Sequence, residues 1–181
     1  MRYVALLRGI NVGGKHSLPM KELAAQLEGL GCARVRTYIQ SGNAVFEAPA
    51  RAAGKLPGLL QAAILKQKGF DAPVVLRSSD ELGSVLRSNP FLKQGAKPDH
   101  RYVGFLARLP GPAALKDLDP QRSPGHAYRV QGREVFLHLP TGVATTKLTN
   151  TYFDQTLKTV CTMRNWRTVL ALDAMARDGK A

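Results

Sequence analysis

A short segment near the start of the chain recurs in its second half, and this recurrence limits the possible folds more than any other feature. The segment RYVALL at 2–7 is echoed by RYVGFL at 101–106. Each copy is an apolar run of the length of one buried strand. Because similar elements follow both copies in the same order, the sequence predicts two related modules of about 80–100 residues, a usual size for small domains.

The first half predicts the order strand, helix, strand, strand, helix, strand. The predicted strands are 2–8, 34–40, 44–46 and 73–77, and apolar residues at helical spacing predict helices over 19–30 and 56–68. This order is the split βαβ or ferredoxin-like pattern, an antiparallel four-stranded sheet with both helices on one face. The predicted fold class is therefore α+β, with two tandem ferredoxin-like modules, or alpha-beta plaits.

A capped helix and a linker separate the first module from the second. Ser78–Glu81 has the sequence of a capping box, and 95–99 has the composition of a linker. The second module is predicted to contain strands 101–106, 127–131 and 134–139 and helices 113–118, 149–160 and 165–177. We therefore expect modules at 1–77 and 100–181, joined by a helix and linker at 78–99.

The chain is basic along its whole length. It has 26 Lys and Arg against 13 Asp and Glu, which gives a formal net charge of +13. Residues 1–90 carry 12 basic and 6 acidic side chains, and residues 91–181 carry 14 and 7. A nucleic-acid-binding tail would concentrate the charge, so the even spread indicates a general attraction to polyanions.

Composition excludes several classes of protein. No apolar run approaches the roughly 20 residues of a membrane helix, and the start of the chain resembles a strand rather than a signal peptide, so we expect a cytoplasmic protein with no membrane partner. The two cysteines and four histidines lack ligand spacing, so we predict neither a disulfide scaffold, a metal site nor a cofactor. Serine and cysteine nucleophile motifs are absent, and no catalytic residue is assigned.

Five stretches resemble a known family. ALLRGINVGGK at 5–15 and TYIQSGNAVF at 37–46 are similar to the opening of the bacterial domain-of-unknown-function family 1697 (DUF1697). NPF at 89–91, TKL at 146–148 and TMRNWRTV at 162–169 are similar to its later signatures, with Thr146 in place of the expected Ser. The resemblance spans nearly the whole chain. It implies two ferredoxin-like modules in a cytoplasmic bacterial protein, and it implies no activity.

The glycine-rich loop after the first strand is one candidate site. Gly9 and Gly14-Lys15 are spaced as at the start of a P-loop, but His16 replaces the Ser or Thr of that motif, and Pro19 starts the helix too late. Two interpretations stay open: an anion site built from backbone N–H groups and Lys15, or a tight turn that needs glycine. The candidate ligand-binding residues here are Arg8, Asn11, Gly13, Gly14 and Lys15.

The turn between the second and third strands is another candidate. Gly42 and Asn43 both tolerate positive φ, so turn chemistry alone explains them. In the alternative, Gln40, Ser41 and Asn43 offer amide and hydroxyl groups to a ligand. We expect this turn and the glycine-rich loop to lie at opposite ends of the module, which argues against one shared site.

Basic residues before the last two helices are the third candidate. We expect Thr162–Thr168 to begin the last helix, with Thr162 or Asn165 as its cap, and Thr145–Lys147 to begin the helix before it. Cations at a helix N-terminus oppose the macrodipole, and a bound phosphate would relieve that conflict. Trp166 is first of all a core anchor. The candidate ligand-binding residues here are Thr146, Lys147, Arg164, Asn165, Trp166 and Arg167.

These candidates favour binding of a phosphate-bearing ligand, a nucleotide or a nucleic acid, through basic helix N-termini. The strand at 43–47 lacks the aromatic RNP1 signature, which argues against RNA reading on an open sheet. Two alternatives stay open. One is an enzyme acting on a small anionic metabolite in a cleft between the modules, with Lys15, Lys147 and Arg164 as electrostatic groups. The other is a structural or protein-interaction module, and the oligomeric state is left open.

Overall fold

The computed structural model describes residues 1–93, 95 and 97–178, so Ala96 of the expected linker lies outside the described residues. In chain order, the elements of the first half are β1 (Arg2–Leu7), α1 (Met20–Gly29), β2 (Ala33–Tyr38), β3 (Asn43–Glu47), α2 (Ala50–Ala53), α3 (Leu56–Lys68), β4 (Val74–Ser78) and α4 (Ser79–Ser88). A 3₁₀ turn at Pro98–His100 leads into the second half. Its elements are β5 (Arg101–Leu106), α5 (Pro112–Lys116), β6 (Ala127–Gln131), β7 (Glu134–His138), α6 (Asn150–Leu157), β8 (Cys161–Asn165) and α7 (Trp166–Arg177).

Each half forms one four-stranded antiparallel sheet. The strand order is β2-β3-β1-β4 in the first sheet and β6-β7-β5-β8 in the second. The strand β1 pairs with β3 and β4, just as β5 pairs with β7 and β8. The two recurring segments are therefore equivalent central strands, and the prediction of two tandem ferredoxin-like modules is confirmed.

The chain divides into two compact units. One is Met1–Gly83 together with the segment that begins at Leu172, and the other is Ser84–Ala171. The boundaries thus fall inside α4 and α7. The subdivision into 1–77, 78–99 and 100–181 stays a prediction.

Apolar side chains of the helices cover one face of each sheet. In the first module the helix residues Leu23, Leu27, Leu60 and Ile64 share a buried cluster with Ala5. In the second module the corresponding cluster contains Leu106, Leu137, Phe153 and Leu157. Side chains on the opposite faces are also buried, among them Val4, Leu6, Val103 and Phe105. In the part of the chain that the structure describes, β1 and β5 therefore present no open face of the kind that RRM domains use.

One difference between the recurring strands has a packing cause. Ala5 of β1 corresponds to Gly104 of β5. A Cβ on Gly104 would lie 2.8 Å from the Sγ of Cys161, which is closer than real contacts allow. The buried thiol thus takes the space of the missing side chain. Both Cys161 and Cys32, which lies in the core of the first module, are buried thiols outside any disulfide.

The strand β8 is the main element that the sequence pattern missed. Its residues were expected to begin the last helix, but α7 begins only at Trp166. Two of its buried side chains are the polar Thr162 and Arg164, so the strand lacks the continuous apolar run that is typical of a strand buried on both faces. Of the two predicted caps, Thr162 is wrong, and Asn165 is confirmed because its Oδ1 accepts the N–H of Arg167 at 2.9 Å.

Candidate functional site

The glycine-rich loop and the β2–β3 turn lie together at one end of the first module. The expectation that they lie at opposite ends was wrong. The Nδ2 of Asn11 donates to the carbonyl oxygens of Gln40, at 2.8 Å, and Leu18, at 3.0 Å. The cause is the topology: β1 and β3 are antiparallel and Leu6 pairs with Asn43, so the end of β1 meets the start of β3.

Gly42 shows how tightly this turn is packed. Its φ is +75°, and a Cβ there would lie 2.7 Å from the Cβ of Leu7 and 2.8 Å from the Cδ1 of Ile10. Its carbonyl oxygen accepts the N–H of Leu7 at 2.8 Å. Both the conformation and the close approach therefore require glycine.

The other glycines of the loop also serve a turn. Gly13 and Gly14 have φ of 58° and 73°, the positive values that a type I′ turn requires at its two central positions. The N–H of Lys15 closes this turn on the carbonyl of Val12 at 3.1 Å. The Lys15 side chain is exposed, and it bonds to no residue that the structure describes. Since α1 begins at Met20, Lys15 lies outside the first helical turn.

The remaining candidates at this end have different surroundings. Asn43 is fully buried, and its Nδ2 donates to the Tyr38 carbonyl at 3.1 Å and the Ser41 hydroxyl at 2.8 Å, so it stabilises the hairpin and cannot reach a ligand. The side chains of Gln40 and Ser41 are exposed, and Arg8 is half-buried at the end of β1.

The two arginines expected at the start of the last helix do not form a phosphate cradle. Arg164 is buried in β8, where its Nη1 donates to the Thr162 hydroxyl at 2.8 Å and the Met163 carbonyl at 2.9 Å. Burial lowers the pKa of Arg164 to about 10. Arg167 does lie in α7, but its Nε and Nη2 both donate to the carboxylate of Asp99. Its charge is therefore already balanced.

The lysine expected at the start of the preceding helix also lies outside it. Lys147 comes three residues before α6, whose cap is Thr149, with the Oγ1 accepting the N–H of Tyr152 at 3.1 Å. Lys147 is exposed, and its side chain pairs with none of the described residues. Trp166 is buried, as a core anchor should be.

A network of hydroxyl groups and one imidazole fixes the loop that carries Lys147. The Oγ of Ser123 lies 2.9 Å from the Nδ1 of His126 and 3.3 Å from the Oγ1 of Thr146, and it accepts the N–H of Lys147 at 3.1 Å. The Nε2 of His126 lies 2.8 Å from the Oγ1 of Thr141. No sequence motif predicted this network, because its members come from two loops that are separate in the sequence.

A cleft with a volume of about 340 Å³ opens beside Thr146. Its lining residues come from β5, β8 and the start of α6 with its preceding loop: Tyr102, Val143, Thr146, Leu148, Thr149, Asn150, Met163 and Asn165. The Oδ1 of Asn150 is buried and has no hydrogen-bond partner among the described residues. The sequence predicted Thr146 and Asn165, while Asn150 and Tyr102 became visible only when the fold brought them together.

The fold is that of two tandem ferredoxin-like modules, the second of which contains this cleft. Comparison with known proteins gives the family of the chain. The chain belongs to DUF1697, whose model, described as a protein of unknown function, matches residues 1–136. The family resemblance seen in the sequence is thus confirmed.

A solved structure shows the same fold. The conserved bacterial protein SP0830 from Streptococcus pneumoniae is similar over 97% of this chain and 98% of its own, with a TM-score of 0.68 and 22% sequence identity. No curated protein matches the chain. No helix in the described ranges is long and apolar enough to cross a membrane.

Proposed function

We propose that the second module binds a small phosphate-bearing ligand of nucleotide type in the cleft beside Thr146. The observation that carries this proposal is the buried Oδ1 of Asn150, an acceptor to which no described residue donates, in a cleft of about 340 Å³. Leaving such an acceptor unsatisfied costs about 1–3 kcal/mol, which a ligand N–H would recover. The volume also falls in the range of small-molecule sites.

The lining of the cleft suits a flat heterocycle. Tyr102, Leu148 and Met163 supply an aromatic ring, an aliphatic side chain and a polarisable sulfur. The amides of Asn150 and Asn165 can bond to the polar edge of a base. A nucleobase combines apolar faces with such an edge.

Lys147 is the cation available for the phosphate. It is exposed, its neighbours Thr146 and Leu148 both line the cleft, and its backbone is held by Ser123. A mononucleotide is favoured over a nucleic acid because the central strands are buried on both faces. The two buried cysteines, which form no disulfide, suit the reducing cytoplasm, where we place this activity. An enzyme between the modules and an interaction module stay alternative predictions.

Isothermal titration calorimetry of the full chain with AMP, CMP, GMP and UMP tests the proposal. We expect binding of at least one nucleotide, and Asn150→Ala should weaken it about tenfold because one hydrogen bond is lost. Thr151→Ala, at the exposed position next to Asn150, is the matched control and should bind as the wild type does. Lys147→Ala should weaken the nucleotide more than its nucleoside.

The proposal fails if none of the four nucleotides binds. It also fails if Asn150→Ala and Thr151→Ala bind the nucleotide with the same affinity as the wild type.

A further inference from the structure

Arg101, in β5, is a buried arginine whose charge is not balanced by any carboxylate that the structure describes. It is only 8% exposed, and its buried Nε has no hydrogen-bond partner within the described residues. Among the residues that the structure describes, no carboxylate pairs with it, and its Cζ lies 5.6 Å from the centroid of the Trp166 ring. Because side chains alternate along a strand, Arg101 lies on the face opposite Tyr102. This site is therefore separate from the cleft.

Two histidines lie next to Arg101 in the chain or in the sheet. His138 is its cross-strand partner, and the His138 ring lies 6.5 Å from that of His100. Burial first, and then the neighbouring basic groups, lower the pKa of His138. The nearest acidic residue along the chain, Asp99, already bonds to Arg167.

A second buried donor lies on a segment next to this cluster. Asn89 is 4% exposed, and its Nδ2 has no hydrogen-bond partner in the described part of the chain. Its Oδ1 accepts the N–H of Phe91 at 2.9 Å, and the Phe91 ring lies 5.8 Å from that of His138. The Nδ2 of Asn89 and the Nε of Arg101 therefore both lack an acceptor among the described residues, and buried donors of this kind are costly to leave unpaired.

The first module shows what the same arginine needs. Arg2 occupies the position of Arg101 at the start of the equivalent strand, and its Nε donates to the carboxylate of Glu47 at 3.1 Å. Its Nη1 donates to the carbonyl of Ala176 at 3.2 Å. In the second module the register places His138 where Glu47 lies in the first. The anion that neutralises the first arginine is thus missing from the side chains around the second.

We propose that Arg101, His138 and Asn89 form an oxyanion site that takes a phosphate group. Near neutral pH a phosphate ester carries a charge of about −1.5 to −2 and three strong acceptor oxygens. A guanidinium fork bonds to such a group through two parallel N–H donors, and an imidazole and an amide can each supply one more. This site is independent of the nucleotide cleft and requires no base.

Thermal unfolding of the full chain tests the site, with inorganic phosphate as the probe and potassium chloride at equal ionic strength as the reference. Phosphate should raise the unfolding temperature of the wild type by mass action. Arg101→Met should bind phosphate at least about tenfold more weakly, because charge-assisted hydrogen bonds are lost. Without phosphate it should unfold at a higher temperature than the wild type, since an unpaired buried charge is gone.

Arg2→Met is the matched control from the first module. It should keep the phosphate response and unfold at a lower temperature, because it removes the partner of Glu47. Glycerol phosphate in place of inorganic phosphate distinguishes a phosphate ester from free phosphate as the ligand. The compound that binds more tightly identifies which of the two the site prefers. Asn150→Ala, in the cleft, should leave the phosphate response unchanged, so failure of one proposal is distinguishable from failure of the other.

The proposal is overturned if phosphate does not stabilise the wild type beyond the chloride reference, or if Arg101→Met responds to phosphate as the wild type does. If Arg101→Met does not fold, the phosphate response of His138→Gln in thermal unfolding is the test. A weaker phosphate response of that variant supports the site, and an unchanged response contradicts it.

Discussion

The two modules place the same arginine at the start of the same strand, and they differ in what lies opposite. Arg2 faces Glu47 and bonds to it, whereas Arg101 faces His138 and bonds to none of the described residues. The repeated backbone thus places an arginine at the same position in both modules, but only the first module places a carboxylate opposite it. In a duplicated fold, a group that is neutralised in one copy and unpaired in the other marks where a ligand is to be sought.

The hairpin turns of the modules differ in a second way. Gly42 is pressed against Leu7 and Ile10, while the nearest atom to a Cβ on Gly132 would be the Oε2 of Glu134 at 3.7 Å. Both glycines have positive φ. Only the first turn therefore combines a left-handed backbone with close packing.

The largest expected effect comes from Gly42→Ala. It should lower the free energy of unfolding by about 3 kcal/mol, through left-handed strain and overpacking together. Gly132→Ala should cost about 1 kcal/mol, because it meets the strain alone. Urea unfolding measures the free energy of unfolding of both variants. Equal losses would show that Leu7 and Ile10 do not restrict the space at Gly42.

A carboxylate opposite Arg101 should make the second module like the first. We expect His138→Glu to raise the free energy of unfolding by about 1.5–3 kcal/mol, the usual worth of a hydrogen bond to a charged group. It should also abolish the phosphate response, because the carboxylate then occupies the anion site. A variant that is less stable and still responds to phosphate would contradict the equivalence of the two positions.

The pH dependence of stability should also differ between the modules. Burial and nearby basic groups lower the pKa of His138 below its ordinary value of 6.5, so the unfolded chain binds the proton more readily. Stability should therefore decrease as the pH falls from 7 towards that lowered pKa. In the first module, the hydrogen bond from Arg2 lowers the pKa of Glu47 below 4.5, so its contribution is lost only at more acidic pH.

Chemical unfolding between pH 3 and pH 8 separates these two windows. His138→Gln should flatten the upper window, and Glu47→Gln should flatten the lower one. Both changes are expected to be smaller than that of Gly42→Ala. If His138→Gln leaves the slope between pH 7 and pH 5 unaltered, another group is responsible for it.

The smallest effect is expected from Arg167→Ala. Arg167 and Asp99 form an exposed pair, and such pairs contribute little to stability. The variant should have nearly the wild-type unfolding temperature and the wild-type affinity for nucleotide in calorimetry. A tenfold loss of nucleotide affinity would reinstate the start of α7 as a phosphate site.

Most of the fold could be predicted because its signals are local. The capping box is an example: the N–H of Ser78 bonds to Glu81 at 2.7 Å, and the N–H of Glu81 bonds back to Ser78 at 3.2 Å. The strand β8 could not be predicted, since the buried Thr162 and Arg164 interrupt the apolar run that is typical of a strand buried on both faces. Its burial is decided by tertiary packing, which a single sequence does not display.

The candidate sites were less predictable for the same reason. Residue types drew attention to Thr146 and Asn165, which line the cleft. They also drew attention to Asn43 and Arg167, whose hydrogen-bonding groups the fold itself uses. Arg101 passed unnoticed, because an arginine without a partner is recognised only after the position of its partner is known.

The two buried thiols, Cys32 and Cys161, can report the local opening of each module. Cys32 lies in the core of the first module and Cys161 in that of the second, where it fills the space above Gly104. Burial raises the pKa of Cys32, and a buried thiol is inert to reagents until its surroundings open. The rate at which each thiol is labelled under native conditions thus measures the opening of its own module. Phosphate that binds at Arg101 should slow the labelling of Cys161 and leave that of Cys32 unaffected.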